Sequence, residues 1–149
     1  MGKATDELVK THRFVEKILT QLDPKESRFA EIRTTLERAV VAHAWLQDEI
    51  FLPSLHGKPL IDERFVSEVS KEHQDLEYLL KMLANTALDA KPGIDALVLQ
   101  IRTLLDTHFQ KEAKALYPLA EKVVDEPTLR KIGEEMERRK TEVRTAILG

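Results

Sequence analysis

Apolar side chains recur every three to four residues along most of this chain, and few breakers interrupt them. That spacing lays a stripe along one face of a helix, and each stripe must be buried against another. With 5 Gly and 6 Pro in 149 residues, turns are scarce and the elements between them are long. Asp23-Pro24 marks a helix start, because Asp caps and Pro suits the first helical position. The run PSLHGKP from Pro53 reads as a loop, with Asp62 free to cap the next helix. Ala90 to Gly93 (AKPG) is a further connection, and Asp125-Glu126-Pro127 opens a last segment. Five helices are predicted, over about 5–22, 24–54, 62–88, 93–122 and 127–147.

Short loops set successive helices antiparallel. The expected fold is therefore all-α: an up-down-up-down four-helix bundle with an additional C-terminal helix. It reads as one domain over 1–149, the bundle spanning about 5–123 and the accessory helix about 127–147. The fifth stripe (Leu129, Ile132, Met136, Val143, Ile147) is narrow and backed by the charged run EEMERRKTE. That helix is expected to pack on the outside or to meet a partner, so the chain is read as a monomer or as a homodimer through it.

The stripes carry polar interruptions. His12, His43, His73 and His108 each lie near the middle of one predicted helix, on its apolar face, at spacings of 31, 30 and 35 residues. Such positions in a four-helix bundle meet at one level. Three of these histidines have a polar residue four positions on, hence on the same helical face: Gln47, Glu77 and Glu112. Burying imidazoles and carboxylates unpaired costs several kcal/mol per charged group, and a cation that bonds them removes the cost. His56 lies in the PSLHGKP loop, off any stripe, and reads as a solvated side chain. Trp45, two residues from His43, reads as packing, while Tyr78 and Tyr117 stand near the liganding turns.

The chain has no Cys, so thiolate zinc sites, iron–sulfur clusters and disulfides are excluded and His, carboxylate or amide groups must hold any metal. The segments HAWLQDEIFLP (43–53) and HFQKEAKALYP (108–118) echo each other in His, a polar group at +4 and Pro at +10. The echo suggests pseudo-symmetric halves around two metal positions, which in two-metal sites lie roughly 3.5–4 Å apart. Mixed imidazole and carboxylate donors suit Fe or Mn, with Zn also compatible. No Glu precedes a His by three, so the Glu-x-x-His pattern of ferritin-like di-iron bundles is absent, as is HExxH.

The arrangement resembles the hemerythrin-like (HHE cation-binding) domain family from about Asp6 to Val123. The residues that carry it are ELVKTHRFV around His12, HAWLQDEIFLP, KEHQDLEYLL around His73, and HFQKEAKALYP. The resemblance implies a four-helix bundle enclosing a non-haem di-iron centre for oxygen or related small oxidants. It also implies that His12 and His43 serve one iron, that His73, Glu77 and His108 serve the other, and that Glu112 bridges them. The sequence departs from the family's oxygen carriers at Glu77, where those have a further His. It departs again at Gln47, which stands in place of a second bridging Glu. The Gln47 amide can still donate its carbonyl oxygen, and Asp48 beside it can reach a metal if the helix is locally overwound or bulged.

Two functions are consistent with this sequence. The first is a di-iron protein that binds or reacts with oxygen, peroxide or nitric oxide as sensor, scavenger or store. The second, motivated by Gln47, is a degenerate bundle with one metal or none, acting as a structural or interaction module. The net charge of -3, without blocks of one sign, gives no footprint for nucleic acid or anionic membrane. MGKATDEL lacks the apolar stretch of an export signal, and no run approaches the ~20 residues of a membrane span. A cytoplasmic location is expected. No substrate pocket, cofactor loop or nucleophile–base pair is visible, and no enzyme class is assigned.

Overall fold

A computed structural model describes the backbone of residues 2–148 and the side chains of residues 2–140. Its helices run α1 (Ala4–Thr20), α2 (Phe29–Leu46), α3 (Leu52–Leu55), α4 (Glu63–Asn85), α5 (Lys91–Lys111), α6 (Tyr117–Val123) and α7 (Glu126–Leu148). A five-residue π-helical turn, Gln47–Phe51, joins α2 to α3, and a second, Glu112–Leu116, joins α5 to α6. α2–α3 and α5–α6 are thus continuous rods with one wide turn each, and five rods correspond to the five predicted. No strand occurs among the described residues.

The rod ends follow local chemistry. Asp62 caps α4 by accepting from the Arg64 backbone N–H, and Pro92 lies in the first turn of α5. The second rod begins at Phe29, five residues later than Asp23-Pro24 suggested. Asp23 instead accepts from the Lys25 N–H with its side chain and from the Glu26 N–H with its carbonyl, which closes a local turn. The third rod likewise stops at Asn85, before the expected 88.

α2 packs against α1 and α4, and α4 against α5, while α7 lies across α1 and α2. The buried apolar residues form two clusters. One holds Val15, Leu36, Val40, Leu76, Leu80, Ile101 and Leu105 with their neighbours. The other holds Leu8, Leu46, Phe51, Val69, Leu116, Tyr117 and Met136 with theirs. Passing from N to C, α1 and α4 run from the second cluster to the first, whereas the α2–α3 and α5–α6 rods run from the first to the second. Up-down-up-down is therefore written into which cluster each residue joins. On every rod the stripe histidine lies between the two clusters: His12 between Leu8 and Val15, His43 between Val40 and Leu46, His73 between Val69 and Leu76, His108 between Leu105 and Leu116. A polar layer separates two apolar ones.

α7 contributes Leu129 and Met136 to the second cluster. Its Arg139 guanidinium lies 4.6 Å from the Trp45 ring centroid, and Lys140 stands 3.5 Å from the buried Glu7 carboxylate of α1. Gly133 is pressed against the backbone of Gly2, Lys3 and Ala4, so closely that a Cβ there would overlap it. The stripe positions Val143 and Ile147 lie outside the described side chains.

Candidate metal centre

All four stripe histidines are buried, at 0–4% exposure, and Gln47 and Glu112 are wholly buried with them. They meet at one carboxylate. Glu112 Oε1 lies 3.0 Å from His12 Nε2, 2.9 Å from His108 Nε2 and 3.5 Å from His43 Nε2. The donor atoms form two triads, His12–His43–Glu112 and His73–His108–Glu112, within each of which all atoms lie inside 4.8 Å of one another. Glu112 belongs to both.

Each rod also presents an oxygen to the histidine of the next. Thr11 Oγ1 on α1 is 2.6 Å from His43 Nδ1 on α2. Asp48 Oδ1, after α2, is 3.0 Å from His73 Nδ1 on α4. Glu72 Oε1 on α4 is 2.8 Å from His108 Nδ1 on α5. Because the Thr11 hydroxyl proton goes to the Leu8 carbonyl, Thr11 accepts from His43. Asp48 and Glu72, as carboxylates, accept as well. Three rings therefore carry the proton on Nδ1 and turn Nε2 inward, an orientation that metal-binding histidines take from their outer partners. The ring of contacts closes with Tyr117, whose hydroxyl lies 2.8 Å from His12. This contact falls on the inward atom, Nε2.

The π turns make this register possible. Pro53 and Pro118 lack an N–H and would crowd the carbonyl four residues back in a regular helix. The wide turn absorbs both defects, and the helix resumes around each Pro. The Pro at +10 from His in both echoed segments was the sequence signal for it. The bulge after Gln47 does bring Asp48 toward the layer, but onto His73 Nδ1, with the Asp48 side chain 29% exposed. Gln47 turns its amide N–H to the Tyr117 hydroxyl at 2.8 Å. Glu77 is half-buried and stands outside both triads, with His73 and Asp48 among the charges acting on it. Tyr78 is 65% exposed, far from any liganding role. His56 is exposed, 3.3 Å from Glu63. Thr11 and Glu72 carried no sequence signal beyond directly preceding His12 and His73.

The protonation balance is tense. Burial holds the His43 imidazole down to about 4, against the pull of Glu112. Burial also opposes charge on His108, yet Glu112 and Glu72 together raise it above the ordinary imidazole value. Burial would raise Glu112 too, but contacts from His108, His12 and His43 hold it well below the usual carboxylate range. Tyr117 is pushed well up by burial and then by the Glu112 charge, so its hydroxyl keeps its proton.

Five buried polar atoms in this layer have no hydrogen-bond partner: His43 Nε2, His73 Nε2, His108 Nε2, Gln47 Oε1 and Glu112 Oε2. The short approach of His108 to Glu112 is out of line for a hydrogen bond. A native core leaves few such atoms, and all five are electron-pair donors directed into one layer. They fit a metal cation. The model of the Hemerythrin HHE cation binding domain family matches residues 3–120, a span that contains every one of these donors.

The chain belongs to this family.

The crystal structure of a hemerythrin HHE cation binding domain-containing protein from Mycobacterium kansasii has the same fold as this HHE domain. Its TM-score is 0.84 at 19% identity, covering 98% of this chain and 90% of that one. The alignment extends past the family match at residue 120, so α7 lies within the shared fold. A search of the curated proteins finds no match. The expected all-α bundle is thus the observed one, and the two His/Glu triads of this HHE cation-binding domain are groups that could hold a metal ion. No described helix is long and apolar enough to cross a membrane.

Proposed function

We propose that this HHE domain is a non-haem di-iron protein that binds or reacts with dioxygen, peroxide or nitric oxide as a sensor, scavenger or store. The observation that carries the reading is the sharing of Glu112 between two His-His-Glu triads. One carboxylate between two donor sets suits a pair of adjacent cations, and imidazole with carboxylate suits iron or manganese.

His12 and His43 would hold one ion and His73 and His108 the other, with Glu112 common to both and Glu77 a further donor if its side chain turns inward. Two adjacent reducible ions, when bound, supply two electrons to a small oxidant. The protein's part is positional. Thr11, Asp48 and Glu72 hold three imidazoles in one tautomer, and the apolar clusters above and below keep water away from the layer. Tyr117 holds a proton at its hydroxyl inside the layer, 2.8 Å from His12 Nε2.

Gln47 favours a second reading, a bundle with one tightly held ion. It is neutral where a second bridging acid would stand, and its amide N–H is already committed to Tyr117. Anaerobic titration of the metal-free protein with Fe(II), followed by air, separates the readings. About two irons per chain and a new ligand-to-metal absorption band support the di-iron reading. At most one iron and no band on admitting air support the second.

A further inference from the structure

Resting on the metal-binding reading above, we infer that the two triads are unequal: His73–His108–Glu112 takes a divalent cation first and more tightly, and the Tyr117 hydroxyl holds His12–His43–Glu112 back as the weaker half.

Two independent features of the layer point the same way. The first is the state of the inward nitrogens. His73 Nε2 has no hydrogen-bond partner, nor has His108 Nε2, whose 2.9 Å approach to Glu112 is out of line for one. His43 Nε2 is unpartnered too, so the difference between the triads lies at His12. His12 Nε2, by contrast, is engaged twice, by Tyr117 at 2.8 Å and by Glu112 at 3.0 Å. If that nitrogen accepts from Tyr117, its lone pair is in use. If it donates to Glu112, it bears a proton. In either tautomer the His12 Nε2 lone pair is not free for a cation, which must break a buried hydrogen bond to use it. The Tyr117 oxygen is itself held by the Gln47 amide at 2.8 Å, so the obstruction is braced from a second rod.

The second feature is what stands behind each ring. His73 and His108 are backed by carboxylates, Asp48 and Glu72. A carboxylate on the outer nitrogen makes an imidazole a stronger donor, and such partners change metal affinity by about 10–100-fold. His43 is backed only by a neutral hydroxyl, Thr11. The anionic partners are thus concentrated on one triad and the competing hydroxyl sits on the other.

Anaerobic Co(II) titration of the metal-free chain at pH 8, by calorimetry and visible absorption, tests this. The expected wild-type isotherm has two steps separated by at least about tenfold in affinity. His12→Ala removes the weak step and spares the tight one, while His73→Ala removes the tight one. Tyr117→Phe strengthens the weak step roughly tenfold, the worth of one net hydrogen bond to a buried group, without moving the tight one. Asp48→Asn weakens the tight step alone. A wild type that takes up one Co(II), in a step His12→Ala spares, also supports the order. Two equal steps, a tight step lost in His12→Ala, or a Tyr117→Phe isotherm identical to wild type overturns the inference and leaves metal binding standing. No uptake by the wild type overturns both.

Discussion

His12 and Glu112 stand 100 residues apart in sequence and 3.0 Å apart in the folded chain, Nε2 to Oε1. The same oxygen lies 2.9 Å from His108, so one carboxylate ties the first rod to the last of the bundle. Its removal should therefore disable both triads together. Glu112→Ala is expected to weaken metal binding by more than the roughly 100-fold that the loss of an outer partner costs. Glu77→Ala, outside both triads, should cost far less. Metal content after dialysis against a weak chelator measures the two, and a larger loss in Glu77→Ala would reverse the assignment.

Acid should unfold the metal-free protein through His43 and Glu112. His43 sits at about 4 in the fold against 6.5 for a free imidazole. Its folded value is depressed, so its contribution is present above pH 6.5 and is lost as pH falls toward 4. The difference corresponds to about 3 kcal/mol. Glu112, also depressed, adds a loss at lower pH. His108 is raised, so its contribution is present below the free imidazole value and fades as pH rises through its folded one. The net expectation is a melting temperature that drops between pH 7 and pH 5. The drop should be smaller with metal bound, because coordinated imidazoles cannot take up protons. A flat profile for the metal-free protein would contradict this balance.

α7 is a structural element of the domain, and Gly133 is the point that shows it. Gly133→Ala gains about 1 kcal/mol of helix propensity. The added Cβ, however, meets the backbone of Gly2, Lys3 and Ala4, which cannot yield as a side chain tip would. Overpacking of this kind costs about 1–3 kcal/mol, so the variant should melt lower than wild type, and Gly133→Val lower still. Metal stoichiometry should be unchanged, since neither triad draws a donor from the described side chains of α7. An unchanged or higher melting temperature in Gly133→Ala would show that the helix is free to move off the N-terminal segment.

Gln47→Glu places a carboxylate where a neutral amide now donates to Tyr117. It should accept from the Tyr117 hydroxyl instead and bring a second negative charge into the layer. The expected result is tighter uptake at the weaker half and a larger thermal stabilisation on metal addition, since each hundredfold in ligand over Kd adds about 2.7 kcal/mol. Without metal, the buried charge should make this variant less stable than wild type. Equal metal-induced shifts in the two proteins would place Gln47 outside the coordination sphere.

The bundle was legible from spacing alone, because stripes at three and four residues and scarce Pro and Gly leave few other ways to bury the chain. The four histidines and Glu112 could be read for the same reason: each is a polar residue on an apolar face. The start of α2 was not, because the Asp23 side chain and carbonyl both serve a local turn that competes with capping. Nor were Thr11 and Glu72 legible as partners, since each lies off the stripe and meets a histidine of the following rod. Such contacts depend on how neighbouring rods are rotated, which periodicity within one helix does not encode. The same limit applies to Asp48: a bulge could be anticipated, but not that it would aim the carboxylate at the far nitrogen of His73.

The buried His/Glu layer should hold metal cations in the native protein. Elemental analysis of wild type and Glu112→Ala, purified side by side without chelator, decides this. Iron at or above one equivalent per chain is expected in the wild type, and only background metal in the variant. Background metal in both, or equal metal in both, would contradict it.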